Sequence, residues 1–148
     1  ALMLSFGTHY APSTTKDCYC ATAEFEGNTL TPDPDMWAFM RDQVLQNPEL
    51  QLGGPSIRWF NAALRETDDL ARMPSPKKAS LCYLGDNEQI VSKPRIIERM
   101  KAWGNGRLID VPNAEHEILM MHENIQNQIV SEISEFFQAS LSATADVE

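Results

Sequence analysis

The sequence predicts an α/β fold in which parallel strands alternate with helices. Two observations carry that expectation. The runs Ala79-Ser-Leu-Cys-Tyr-Leu84 and Arg107-Leu-Ile-Asp-Val111 are short and largely apolar, as strands covered on both faces are. Between and after them lie segments whose apolar residues recur at three- and four-residue spacings, the period of a helix. Strands separated by helices need crossover connections, and those pair strands in parallel.

Taken in order, Ala1-Leu-Met-Leu-Ser5 reads as a first strand that begins in mid-fold, so a longer protein is expected to contain this chain. Residues 6–33 hold Gly7, Pro12, Gly27 and Pro32 with little periodicity and read as a long irregular excursion. From Pro34 the pattern turns helical, with Met36, Trp37, Met40, Val44 and Leu45 on one face and Asp33 or Asp35 available as a cap. Pro48 ends it. Gly53-Gly54-Pro55-Ser56 makes a turn, with Pro55 expected at the first helical position. The next helix places Ile57, Phe60, Ala63 and Leu64 on one side, with Trp59 beside them.

After Pro74 and Pro76 comes the strand ending at Leu84. Pro94 opens a helix with Ile96, Ile97, Met100 and Trp103 inward, stopped by Gly104-Asn105-Gly106. The strand ending at Val111 follows. A last helix runs from about Asn124 to Ala139, with Ile125, Ile129, Ile133, Phe136 and Phe137 on one stripe. The expected organisation is a core strand at 1–5, a helical cap insertion at 6–75, an α/β core at 76–140 and a disordered tail at 141–148.

Composition narrows the function. The 148 residues are 43% hydrophobic and 22% charged, enough for a domain with a real core. A net charge of −9 speaks against a nucleic-acid partner, because phosphates are neutralised by clustered Lys and Arg. Cys18, Cys20 and Cys82 form neither an even disulfide framework nor a metal-ligand spacing, which suggests reduced thiols and a cytoplasmic setting. No apolar run has the length of a transmembrane segment. His116, Glu117, His122 and Glu123 lie close together, but no His-x-x-x-His shares a helix, and neither a metal nor a cofactor is expected.

The chemistry concentrates in two loops. Gly85-Asp-Asn-Glu-Gln-Ile-Val91 follows one strand and supplies a carboxylate, Glu88 or Asp86. Asn113-Ala-Glu-His-Glu-Ile118 follows the next strand and supplies His116. Sites in open α/β sheets gather at the carboxyl ends of strands, so both loops fall where an acid–base pair is useful. His9 and His122 do not follow a strand in this way.

These segments resemble the serine α/β-hydrolases of the lysophospholipase and monoacylglycerol lipase group. Asn28-Thr-Leu-Thr31, Asn47-Pro-Glu-Leu-Gln-Leu-Gly-Gly-Pro55 and Trp59 resemble the cap signature of bacterial lysophospholipases. Gly85-x-x-Glu88-x-Ile90-Val91 is similar to the acid-loop motif, and Ala114-Glu-His116-Glu to the histidine loop. The resemblance implies the C-terminal part of an α/β-hydrolase fold with a helical cap insertion.

It also implies that Glu88 is the triad acid, in preference to Asp86, and that His116 is the general base. The substrate it implies is a lysophospholipid or monoacylglycerol ester. Trp37, Met40, Trp59 and Phe60 are candidates to line an acyl-chain channel, though aromatic stripes at helical spacing more often form a lobe's own core. No Gly-x-Ser-x-Gly occurs in the chain, and neither Ser5 nor Ser56 has the small flanking residues of a nucleophile elbow. The nucleophile is therefore expected upstream, in a missing N-terminal half or a separate polypeptide. The alternative is a non-catalytic binding module derived from a hydrolase.

Overall fold

The computed structural model describes residues 7–145. The strand expected at 1–5 lies outside them. The chain divides into two compact units. One comprises Ala1–Glu26 and Trp37–Pro74, the other Gly27–Met36 and Ser75–Glu148. The segment Gly27–Met36, read from sequence as part of the 6–75 insertion, thus groups with the C-terminal residues.

In the first unit, α1 (Tyr19–Thr22) is a single turn. Helix α2 (Pro34–Gln46) starts in the second unit and continues into the first. A 3-10 turn at Pro48–Leu50 follows, then α3 (Ile57–Arg72). The residues expected to be irregular are tied down locally. Ala11 N donates to Pro55 O at 2.8 Å, and Ile57 N donates to His9 O at 2.9 Å. Tyr10 and Ser56 form an antiparallel bridge.

Pro55 does not take the first helical position. Ser56 is the N-cap, and its hydroxyl accepts from Trp59 N at 3.2 Å. A serine oxygen satisfies a helix-end amide that proline cannot reach, and so fixes where the helix begins. Trp37 is buried, with the Tyr19 ring edge-on at 5.8 Å and Phe25 at 6.5 Å.

The second unit holds the sheet. Strand β1 (Ser80–Gly85) pairs in parallel with β2 (Gly106–Val111), from Ser80 opposite Gly106 to Gly85 opposite Val111. Helix α4 (Lys93–Lys101) connects them, and α5 (Glu123–Ala145) follows a 3-10 turn at Ile118–Met120. Val111, Ala114, Met121 and Ile129 form the core, with Tyr83, Ile118, Ile125 and Ile133 packed against it. The four-residue steps 125, 129 and 133 put one stripe of α5 on the sheet.

Some expectations on these helices are corrected. Phe137 is exposed, although it takes the next four-residue step after Ile125, Ile129 and Ile133: each such step turns about 40° round the helix, so by Phe137 the row has rotated off the buried face. Ile97 of α4 is also exposed, and Met100 carries that helix's buried contact. Residues 141–145, expected to be disordered, continue α5. Leu141-Ser-Ala-Thr-Ala145 contains neither Gly nor Pro to stop a helix.

Candidate active site

The carboxyl ends of β1 and β2 lie side by side, so the loops leaving them are neighbours. Their approach depends on Gly85. A Cβ there would sit 2.4 Å from Ala114 O and 2.5 Å from Glu115 O, inside the backbone of the histidine loop. Asn87 N donates to Ala114 O at 3.0 Å, and Asp86 N to Val111 O at 3.2 Å. Asn113 turns the second loop with a φ of 58°, a conformation Asn tolerates better than most residues.

Between the two loops, Glu88 Oε2 lies 2.7 Å from His116 Nδ1. The other carboxylate oxygen, Oε1, accepts from Ile90 N at 2.5 Å and Val91 N at 3.0 Å. The Glu88 side chain is 4% exposed and the imidazole 30%. Burial alone would push the Glu88 carboxyl up. The bonds from the Val91 amide, His116 and the Ile90 amide outweigh burial and hold it below the usual carboxylate range. An ionised Glu88 favours a proton on Nδ1, which leaves Nε2 as the imidazole's free-base nitrogen. Asp86, the other carboxylate of the first loop, is exposed, and it is Glu88 that meets the histidine.

A second histidine–carboxylate contact escaped the sequence reading. Asp33 Oδ2 pairs with Nδ1 of His122, while its Oδ1 accepts from Asp35 N at 2.8 Å and Met36 N at 3.2 Å as the cap of α2. Burial raises the Asp33 carboxyl, but the Met36 and Asp35 amides and His122 bring it below its ordinary value. The imidazole of His122 is 61% exposed. Among the described residues, the buried Oε2 of Glu115 has no hydrogen-bond partner, and burial raises its carboxyl.

The candidate acyl-contact residues lie in the first unit in different settings. Trp37 is buried against Tyr19 and Phe25, and Met40 is half-buried. Trp59 and Phe60 are exposed on α3. Among the described residues, no group of three or more His, Cys, Asp or Glu is arranged to hold a metal ion. Nor is any described helix long and apolar enough to cross a membrane.

No protein-family model matches the chain. Over 115 residues it is 26% identical to the probable lysophospholipase L2 of Haemophilus influenzae, covering 77% of this chain and 37% of that protein. Its fold matches that of a soluble variant of monoglyceride lipase from Saccharomyces cerevisiae, solved in complex with a substrate analog. The TM-score is 0.61 and the identity 14%, over 80% of this chain and 43% of the lipase chain. The chain thus spans less than half the length of either protein. Its parallel strands and helices are part of an α/β-hydrolase fold. Sequence and fold together relate it to the α/β-hydrolases of the lysophospholipase and monoglyceride lipase kind, over part of their length.

Proposed function

We propose that this chain supplies the acid and the general base of a serine carboxylic-ester hydrolase acting on lysophospholipids or monoacylglycerols. The observation that carries the reading is the 2.7 Å contact between Glu88 and His116, on loops that leave two adjacent parallel strands. Glu88 fixes the Nδ1–H tautomer and stabilises the imidazolium when it forms. His116 takes the serine proton as the hydroxyl attacks the ester carbonyl, and returns it to the leaving alcohol. A water activated by the same imidazole then releases the fatty acid from the acyl-serine. The serine belongs to polypeptide outside these 148 residues.

In this reading the first unit is the cap and the second the catalytic core. Trp37, Met40, Trp59 and Phe60 are the side chains assigned to the acyl chain, in keeping with the mostly apolar lining of such pockets. The lipid substrate is supported by the names of the two similar proteins.

The test uses the complete protein that contains this chain. It should label with a fluorophosphonate probe and hydrolyse a lysophosphatidylcholine or a monoacylglycerol. His116→Ala should lower turnover by about 10³-fold or more. A well-folded protein that neither labels nor hydrolyses either ester overturns the reading and favours a non-catalytic binding module.

A further inference from the structure

The segment Asn28-Thr-Leu-Thr31, grouped from sequence with the cap, lies instead in the unit that holds Glu88 and His116. It runs along the histidine loop and is bonded to it step by step. His116 N donates to Thr29 O at 3.3 Å, and Glu117 N to Leu30 O at 2.8 Å. The hydroxyl of Thr31 donates to Met120 O. Two residues on, Asp33 pairs with His122. Positions 29, 30, 31 and 33 thus meet 116, 117, 120 and 122 in order, and the loop carrying His116 is held from His116 to the start of α5.

Thr31 is the centre of this ladder. It is fully buried, and its hydroxyl is used in both directions. As donor it holds Met120 O, the far end of the 3-10 turn that Met120 N closes onto Glu117 O at 2.8 Å. As acceptor it receives Asp33 N at 3.0 Å, which presents the Asp33 carboxylate to His122. Asn28, also buried, shapes the segment from below, its Oδ1 accepting from Leu30 N and Thr31 N, both at 3.0 Å. A buried hydroxyl with donor and acceptor both engaged is specified in position and rotamer.

The Glu88–His116 contact needs a fixed histidine as much as a fixed acid. Glu88 is fixed by the Ile90 and Val91 amides. The imidazole sits on an irregular loop, between a strand that ends at Val111 and a helix that begins at Glu123. Resting on the reading of these two residues as acid and base, we propose that Thr31 is a positioning residue for His116, acting through the hydrogen bonds that link residues 28–33 to residues 116–122. Displacing a catalytic group by about 1 Å can cost on the order of 10²-fold in rate, so a hydroxyl that touches neither substrate nor imidazole can still govern turnover.

The experiment compares Thr31→Val, which keeps the shape and removes the hydroxyl, with Thr31→Ser, which keeps the hydroxyl. Both are made in the complete protein. The first readout is the low-field proton signal of His116 Nδ1–H bonded to Glu88, recognised by its loss in Glu88→Gln and His116→Ala. The second is kcat and KM on a soluble monoacylglycerol ester. Thr31→Val is expected to lose or broaden the signal and lower kcat by about 10–10²-fold with KM within about twofold, while Thr31→Ser keeps both near wild type.

A Thr31→Val protein with an intact signal and unchanged kcat overturns the proposal. So does a Thr31→Ser protein as impaired as Thr31→Val. If Thr31→Val does not fold, Thr31→Cys, with a weaker donor of similar size, replaces it under the same criteria. The failures are separable. If Glu88→Gln leaves the low-field signal unchanged, the acid–base reading falls. If Glu88→Gln removes the signal but Thr31→Val does not, only the positioning role falls.

Discussion

Glu88 divides its carboxylate between two tasks. Oε2 faces His116 Nδ1 at 2.7 Å, and Oε1 is held by the amides of Ile90 and Val91. The amide bonds orient the carboxylate without using the oxygen that faces the imidazole. Glu88→Gln keeps an acceptor for the amides but removes the charge that favours the Nδ1–H tautomer. In the complete protein it should lower kcat by about 10³–10⁴-fold with secondary structure unchanged by circular dichroism. Asp86→Asn, at an exposed position of the same loop, should leave kcat within about twofold. The reverse result would move the acid to Asp86.

The depressed carboxyl of Glu88 also sets a pH dependence of stability. The folded state holds Glu88 below the ordinary carboxylate range against the opposing effect of burial, through Val91, His116 and Ile90. A depressed pKa means that the unfolded chain binds the proton more readily. The stabilisation is therefore fully present above the ordinary value of about 4.3 and is lost as pH falls through the lower folded value. Asp33, depressed by the Met36 and Asp35 amides and His122 despite its burial, acts in the same direction. Melting curves of the wild type and Glu88→Gln should differ most near neutral pH and converge as acidity increases below about pH 4. A gap that widens in acid would contradict the sign.

What the sequence revealed and what it hid follow from the range of the interactions. Strands β1 and β2, helix α4 and the placing of Glu88 and His116 on adjacent loops are written locally. The strands are short apolar runs, the helix is bounded by Pro94 and Gly104, and Glu88 and His116 each follow a strand. Parallel pairing then brings the two loops together without further information. Thr31 is a different case. Its motif was visible, but its partner Met120 lies 89 positions away, and no periodicity reports a contact of that range. The Asp33–His122 pair was hidden for the same reason, and Asp33 had a sufficient local reading as a helix cap. The start of α3 differs through a purely local competition, in which Ser56 caps the helix although Pro55 was expected at its first position.

Gly85 lies against the backbone of the loop that carries His116. A methyl group there would meet two backbone carbonyl oxygens at about 2.5 Å, and neither belongs to a flexible side chain that could swing aside. Gly85→Ala should therefore destabilise the protein by about 1–3 kcal/mol, the range for overpacking a tight contact. Urea unfolding should show a lower midpoint with an unchanged slope. The same variant should push the histidine loop away from β1 and lower kcat more than KM changes. A midpoint within error of the wild type would mean that the loops can separate freely.

Tyr83 links the sheet to α5 and gives the alkaline counterpart of Glu88. Its hydroxyl donates to Glu132 Oε2 at 2.9 Å, and Arg107 Nη2 lies 3.9 Å from the same oxygen. Burial, the hydrogen bond to Glu132 and the charge of that carboxylate push the phenol up to about 12, against a smaller opposing pull from Arg107. Because the unfolded chain ionises near 10, it gives up the tyrosine proton first. The contribution is present in full below about pH 10 and is lost as pH rises towards 12, the opposite direction to Glu88. Absorbance titration of the phenolate should show a late step near pH 12 that Tyr83→Phe removes. The variant should lose about 1 kcal/mol at neutral pH, and its deficit should shrink above pH 10 as the wild type loses the same bond. Glu132→Gln should move the step to lower pH while keeping the phenol buried. A step unmoved by Glu132→Gln would assign the whole shift to burial and leave the tie between β1 and α5 without an electrostatic part.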